Sequence, residues 1–329
     1  MKPRVEIIAL GGTIASKPRP DVKGVFPDLT AQDLLGAVPG ISELAHLAAR
    51  TFAAVPSVEI DVALLQSVVK LIAEREADGV QGIVVTQGTD TIEETAYVLD
   101  LLHGGRSPII VTGAMRNPAL PGPDGPANLF AAVACAADPA FQGAGVVVVM
   151  DDEIHPAAWV QKRDTSSVGA FGSPAPLGWI AEGKPVLYAQ PHRQAQVRIS
   201  DGASLPFVPI LKPGLGEQPL LVAAAIDCGA TGLVVELSGG GHASTAWADA
   251  LGKAAASVPV IFTSRTRGGR VLNRTYGQLG AEIDLMRRGL IPGGDLDALK
   301  ARLLLSLLLM NDAAEHFEDY ANLSWKEAA

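Results

Sequence analysis

The first half of the chain alternates between two patterns. Short apolar runs recur near 4–10, 50–55, 82–87, 108–112 and 144–150. Segments of helical spacing lie between them at 30–37, 61–77, 91–102 and 125–137. Continuous apolar strands are buried on both faces, and interleaved helices cover the faces of a parallel sheet. An irregular stretch rich in Gly, Pro, Ser and Trp follows at 150–185, then the polar run QPHRQAQVRISDGAS at 190–204. Beyond it the alternation resumes. VPIL (208–211), GLVVEL (232–237) and VPVIF (258–262) read as strands, with helices near 219–228, 244–256, 281–288 and 295–310. The pattern predicts an α/β chain of two α/β domains. A larger N-terminal domain over 1–189 has a mainly parallel sheet. A linker occupies 190–206. A smaller C-terminal domain over 207–329 has a parallel sheet of its own.

Helix starts are signalled by side-chain chemistry. Thr30 with Asp33 and Thr91 with Glu94 have the spacing of capping pairs, and Asp124 just before Pro126 suits a first helical turn. Only 5% of the 329 residues are aromatic against 48% hydrophobic overall, so Val, Ile, Leu and Ala must fill the core. The net charge of −9 lacks the basic stripe that nucleic-acid phosphates require. Cys135 and Cys228 match no metal spacing and no disulfide framework, and both read as buried small hydrophobes. LLLSLLLM at 303–310 is too short to cross a bilayer. Met1 leads into a charged strand without the regions of a signal peptide. The expectation is a cytoplasmic protein with no nucleic-acid or membrane partner.

Two loops, GGTIAS (11–16) and TQGTDTIEET (86–95), follow buried-strand runs. In open α/β sheets ligands bind outside the carboxyl ends of the strands. Thr13 sits in a Gly-Gly-Thr turn that allows close ligand approach, or it is a plain turn hydroxyl. GGT lacks the further glycines of a dinucleotide fingerprint, and no P-loop lysine follows. Thr89 and Asp90 put a hydroxyl and a carboxylate at one strand end. Lys162, in WVQKRDTSS, is either a surface cation or a base held near a hydroxyl. Ser57 ends the run AAVPS and is either a loop serine or a group in the same crevice. DDEIH (151–155) offers hard-cation or zinc ligands, but no second cluster with metal spacing accompanies it, so no metal is expected. His242, in SGGGHAS, is a ligand-side group or a loop histidine. No G-x-S-x-G elbow is present, which disfavours a Ser-His-Asp hydrolase.

Together, GGTIAS, Ser57, TQGTDTIEET, VTGAMR (111–116), DGPANL (124–129) and the K-x-x-T of 162–165 resemble the bacterial L-asparaginase/glutaminase family, over nearly the whole chain. TSR (263–265), EIDL (282–285) and LKARLLL (299–305) resemble its C-terminal domain. The resemblance implies catalytic roles for Thr13 as nucleophile and for Thr89, Asp90 and Lys162 as a Thr-Lys-Asp triad. It implies substrate binding by Ser57, Glu59, Asp90, Ala114 (through its carbonyl) and Glu282, the last reaching into a neighbouring subunit's site. Three positions depart from the family pattern. KPRPDVKGVFPDLT has no lid tyrosine, and Phe26 lacks the hydroxyl. The family's S-Q-D reads Ser57-Val58-Glu59. An asparagine of the C-terminal glycine loop is His242. The implied activity is hydrolysis of L-asparagine to L-aspartate and ammonia through a threonine acyl-enzyme, with some L-glutaminase activity. The implied enzyme is a homo-oligomer, dimer or tetramer, without cofactor. The alternatives are a non-catalytic amino-acid sensor on the same fold, or the ammonia-generating subunit of an amidotransferase. The latter would carry an added N-terminal domain, and this chain begins directly at its first strand.

Overall fold

The computed structural model describes residues 2–12, 14, 16–19, 22–27, 30–190, 193, 195–200, 204–266 and 268–323. The chain forms two compact units, 1–196 and 197–329.

The first unit contains β1 (Arg4–Ala9), the ribbon β2 (Ser16–Arg19) and β3 (Val22–Pro27), α1 (Ala31–Gly36), α2 (Ile41–Leu44) and β4 (His46–Thr51). It continues through α3 (Val62–Ala77), β5 (Gly82–Thr86), α4 (Ile92–Leu102), β6 (Ile109–Thr112), α5 (Gly125–Ala137) and β7 (Val146–Met150). The strands β8 (Glu153–Pro156), β9 (Gln161–Lys162), β10 (Phe171–Gly172), β11 (Gly178–Ala181) and β12 (Lys184–Leu187) complete it. Eight strands form one sheet in the order β12-β11-β8-β7-β6-β5-β1-β4. The run from β7 to β4 is parallel, and β8, β11 and β12 extend it antiparallel. Parallel neighbours need long crossovers; α1 and α2 lie in the one from β1 to β4, and α4 and α5 supply those from β5 to β6 and from β6 to β7. Every residue of β5 and β7 is buried. Alternate residues Val5, Ile7, Val84, Ile110, Val147 and Val149 join Leu129, Ala132 and Val133 of α5 in one core. Asp61 caps α3 by accepting from the Leu64 amide, and Thr30 with Asp33 forms the expected capping box on α1.

The second unit contains β13 (Ile210–Leu211), α6 (Leu220–Asp227), β14 (Leu233–Leu237), α7 (Thr245–Ala255) and β15 (Val260–Ser264). It ends with α8 (Glu282–Arg287), β16 (Ile291–Pro292), α9 (Ala298–Leu309) and α10 (Phe317–Ala321). Its four strands are parallel in the order β13-β14-β15-β16. Val222, Trp247, Leu251, Val235 and Phe262 meet in its core. LLLSLLLM falls largely within α9. No helix among the described residues is long and apolar enough to cross a membrane.

Four local expectations are corrected. The second strand lies at 46–51, not 50–55, because His46–Thr51 pairs residue for residue with β1. The apolar run 52–55 instead passes beneath Gly11, where a Cβ would sit 2.6 Å from the Val55 carbonyl oxygen. The irregular stretch from 150 onward supplies five short strands, two of them of only two residues and most of them separated by segments containing Gly or Pro, below what periodicity reveals. Within it Asp151 and Asp152 adopt left-handed φ of 49° and 60°, and this turn reverses β7 into β8. Thr91 precedes α4 but does not cap it through its side chain, whereas Asp124 and Pro126 open α5 as expected. Cys135 is buried, whereas Cys228 is exposed, since it closes the end of α6 beyond the buried positions Val222 and Ala225.

Candidate active site

The carboxyl ends of β1, β5 and β6 are adjacent in the sheet, and the chain leaves each through glycine. After β1, the Leu10 amide donates to the Thr86 carbonyl, and Gly11 and Gly12 follow with φ of 117° and 89°. A Cβ on Gly12 would sit 2.0 Å from the Gly88 amide nitrogen, so only glycine lets the two loops touch. After β5, Gln87 and Gly88 lead into a single tight turn, Thr89–Thr91, before α4 begins. A Cβ on Gly88 would lie 2.9 Å from Ser57 Oγ, which places that hydroxyl against this loop.

Thr89 and Ser57 are buried, at 6% and 4% exposure. Lys162, from β9, reaches in over the turn. Its Nζ donates to Thr89 Oγ1 at 2.9 Å and to Asp90 Oδ1 at 2.6 Å. The Lys162 side chain is 14% exposed and that of Asp90 66%, so the cation is largely enclosed while its counter-ion faces solvent. Thr91 Oγ1 donates to the Ser57 carbonyl at 2.8 Å and receives from Gln87 Nε2 at 3.3 Å. Its hydroxyl is turned to the turn that carries Ser57, which is why it does not cap α4.

The loop after β6 carries Ala114, which is buried. Asp124 accepts from the Met115 and Arg116 amides, at 2.9 and 2.8 Å. Asn128 Nδ2 donates to the Gly113 carbonyl at 3.0 Å. A Cβ on Gly113 would come within 2.7 Å of the Gln87 carbonyl oxygen, so this loop abuts the Thr89 turn. The D-x-x-x-N spacing at the start of α5 was the available signal for this clamp, but it reads first as a helix start.

Ser57, Thr89, Asp90, Ala114 and Lys162 therefore surround one strand edge. Glu59 ends the same short turn as Ser57 and is exposed. Thr13 lies outside the described residues, as do the side chains of the segment 15–29 that holds Phe26. Among the described residues no cluster of His, Cys, Asp and Glu could hold a metal ion. The site offers a lysine, a hydroxyl and a carboxylate at hydrogen-bonding range, with the Ser57 hydroxyl beside them.

Two family models cover this chain: asparaginase, N-terminal, over 4–193, and glutaminase/asparaginase C-terminal domain, over 208–317. The chain belongs to the asparaginase family. A probable L-asparaginase of Deinococcus radiodurans is 37% identical over 93% of this chain and 93% of its own length. The crystal structure of a probable cytoplasmic L-asparaginase from Campylobacter jejuni superposes with a TM-score of 0.85 at 32% identity, covering 97% of this chain and 100% of that one. A glutamyl-tRNA(Gln) amidotransferase subunit of Methanosarcina mazei is 33% identical over 96% of this chain and 76% of its own.

The remaining asparaginase position, Glu282, lies in the second unit and is fully buried there. Its Oε1 accepts from the Thr275 and Tyr276 amides, and its Oε2 lies 3.0 Å from His242 Nε2. Burial works against its charge, but the amides of Tyr276, Glu282 and Thr275 and the His242 bond outweigh it and hold the carboxyl below its ordinary range. The His242 side chain, 31% exposed, stands edge-on to Tyr276 with centroids 5.2 Å apart. The glycine loop here thus carries an imidazole paired with a buried carboxylate.

Proposed function

We propose that the chain hydrolyses L-asparagine to L-aspartate and ammonia through a threonine acyl-enzyme, and L-glutamine to a lesser extent. The observation that carries this is the contact of one enclosed lysine with both Thr89 and Asp90. In the proposed reaction Thr13 Oγ attacks the side-chain amide carbon, its proton passes to the departing ammonia, and water then releases the acid. A threonine hydroxyl is a weak nucleophile and needs a base. Lys162, in its neutral amine form, serves that role through Thr89, using the same 2.9 Å contact to move a proton, and Asp90 fixes the lysine's position. Backbone amides of the two glycine turns are the candidate oxyanion donors. Ser57, Glu59 and Asp90 hold the zwitterionic end of the substrate, and the Ala114 carbonyl faces its amide.

In this reading Glu282, with His242 in front of it, closes the site of a neighbouring copy in a homo-oligomer, and the enzyme works in the cytoplasm without a cofactor. The amidotransferase relative supports a second reading, an ammonia-supplying subunit; a sensor is a third. Ammonia release by the purified chain, with L-asparagine and L-glutamine in parallel and Thr89→Val as control, separates them. Release that vanishes in the variant supports the hydrolase. Binding without release from either amino acid would favour the sensor, and release only with a partner protein the amidotransferase.

A further inference from the structure

Lys162 is carried by a ribbon of its own. Among the described residues, strands β9 and β10 pair only with each other, as a two-stranded sheet beside the eight-stranded one. An isolated two-stranded hairpin is marginally stable in water, so side-chain links must hold this one in place over the strand ends. Ser173 directly follows β10, two residues beyond Phe171, the register partner of Lys162. Its Oγ lies 3.0 Å from Nδ1 of His155, on β8. His155 is fully buried and Ser173 is 9% exposed.

The surroundings keep this link neutral. Burial, and then the positive charge of Arg163, push the His155 imidazole down to about 4, so at neutral pH it has one donor and one acceptor nitrogen. His155 Nε2 lies 3.3 Å from a Glu153 carboxylate oxygen but makes no hydrogen bond to it. Nδ1 and the Ser173 hydroxyl share a hydrogen bond in which the ring tautomer sets the donor. Arg163 lies close behind β10: a Cβ on Gly172 would sit 2.6 Å from its guanidinium. Lys162 and Arg163, as neighbours along the chain, point to opposite faces of the ribbon, the first toward Thr89.

We propose that His155, acting through Ser173, is a positioning residue for Lys162: this buried hydrogen bond ties the ribbon to β8 and sets where the lysine stands against Thr89 and Asp90. The proposal rests on the reading of Lys162 as the base. Proton transfer needs heavy atoms within about 2.6–3.2 Å, and Lys162 stands 2.9 Å from Thr89. A shift of the ribbon by about an ångström breaks that contact, and misplacements of this size cost up to about a hundredfold in rate.

The test is steady-state ammonia release from L-asparagine by the full chain, far below the melting temperature of each variant. His155→Leu and Ser173→Ala are each expected to lower kcat about tenfold, with KM changed by less than about twofold. The double variant should be no slower than the slower single one. His155→Asn, which keeps a hydrogen-bonding group near the Nδ1 position, should recover most of the rate. Unchanged kcat in Ser173→Ala, multiplying losses in the double variant, or His155→Asn as slow as His155→Leu would each overturn the proposal. If His155→Leu does not fold, Ser173→Ala and His155→Asn decide. Lys162→Met is run alongside. Full turnover in that variant sinks the reading of Lys162 as base, whereas an inactive Lys162→Met with unaffected ribbon variants sinks only the positioning role.

Discussion

Replacing Lys162 by Met separates what the lysine does for folding from what it does for chemistry. The Lys162–Asp90 contact is short, at 2.6 Å, but the Asp90 side chain is 66% exposed, so water screens the pair. Pairs of that kind contribute about 0.2–1 kcal/mol. Met keeps most of the lysine stem's packing, so the melting temperature should fall by no more than about 4 °C. Turnover answers to a different quantity. Removing a general base costs about 10²–10⁴ in rate, equivalent to roughly 3–5 kcal/mol of barrier. The catalytic effect should therefore exceed the structural one several-fold. Lys162→Arg sharpens the comparison. Its guanidinium retains an ion pair with Asp90 but cannot give up its proton in a protein, so it should be as inactive as Met. The assay is ammonia release at saturating L-asparagine beside thermal unfolding of the same samples. Activity of either variant within about tenfold of the unaltered protein would refute the base assignment. A raised KM at unchanged kcat would reduce Lys162 to a group that holds substrate or Asp90.

Three further outcomes are expected. Gly12→Ala combines a φ of 89° with a Cβ 2.0 Å from the Gly88 nitrogen. It should cost about 3 kcal/mol or more, and a urea midpoint equal to that of the unaltered protein would contradict the loop packing. His155 stays neutral when folded, at about 4 against an ordinary 6.5. The unfolded chain therefore takes up its proton first, and stability falls as pH drops from about 6.5 to about 4, by about 3 kcal/mol in all. Urea midpoints should decline over that window and decline less in His155→Leu; equal slopes would show that His155 is not the group responsible. A thiol reagent should modify one cysteine per native chain, the exposed Cys228, and both after denaturation, because burial keeps the Cys135 thiol protonated and inaccessible. Two fast-reacting thiols in the native protein would argue against the packing of α5.

By itself the sequence determined the class of fold and the addresses of the chemistry. Apolar runs such as GIVVT and VVVVM, separated by helical patterns, leave few alternatives to a covered parallel sheet, and the glycine loops after them mark the carboxyl edge. Thr30 precedes α1 and caps it together with Asp33, as their spacing implied, because capping depends on residues three apart. Tertiary structure decided everything that depended on distant partners. Lys162 is 72 positions from Asp90 and reads equally well as a surface cation until sheet order brings β9 over the β5 turn. Thr91 has the spacing of a cap, yet its hydroxyl serves the Ser57 turn 34 positions away. Cys228 sits in as apolar a stretch as Cys135 but emerges at a helix end. His155, inside a run that suggested metal ligands, lies fully buried against Ser173. The reason is physical: propensity, capping and periodicity are set by near neighbours along the chain, whereas burial and side-chain convergence are set by strand order and register.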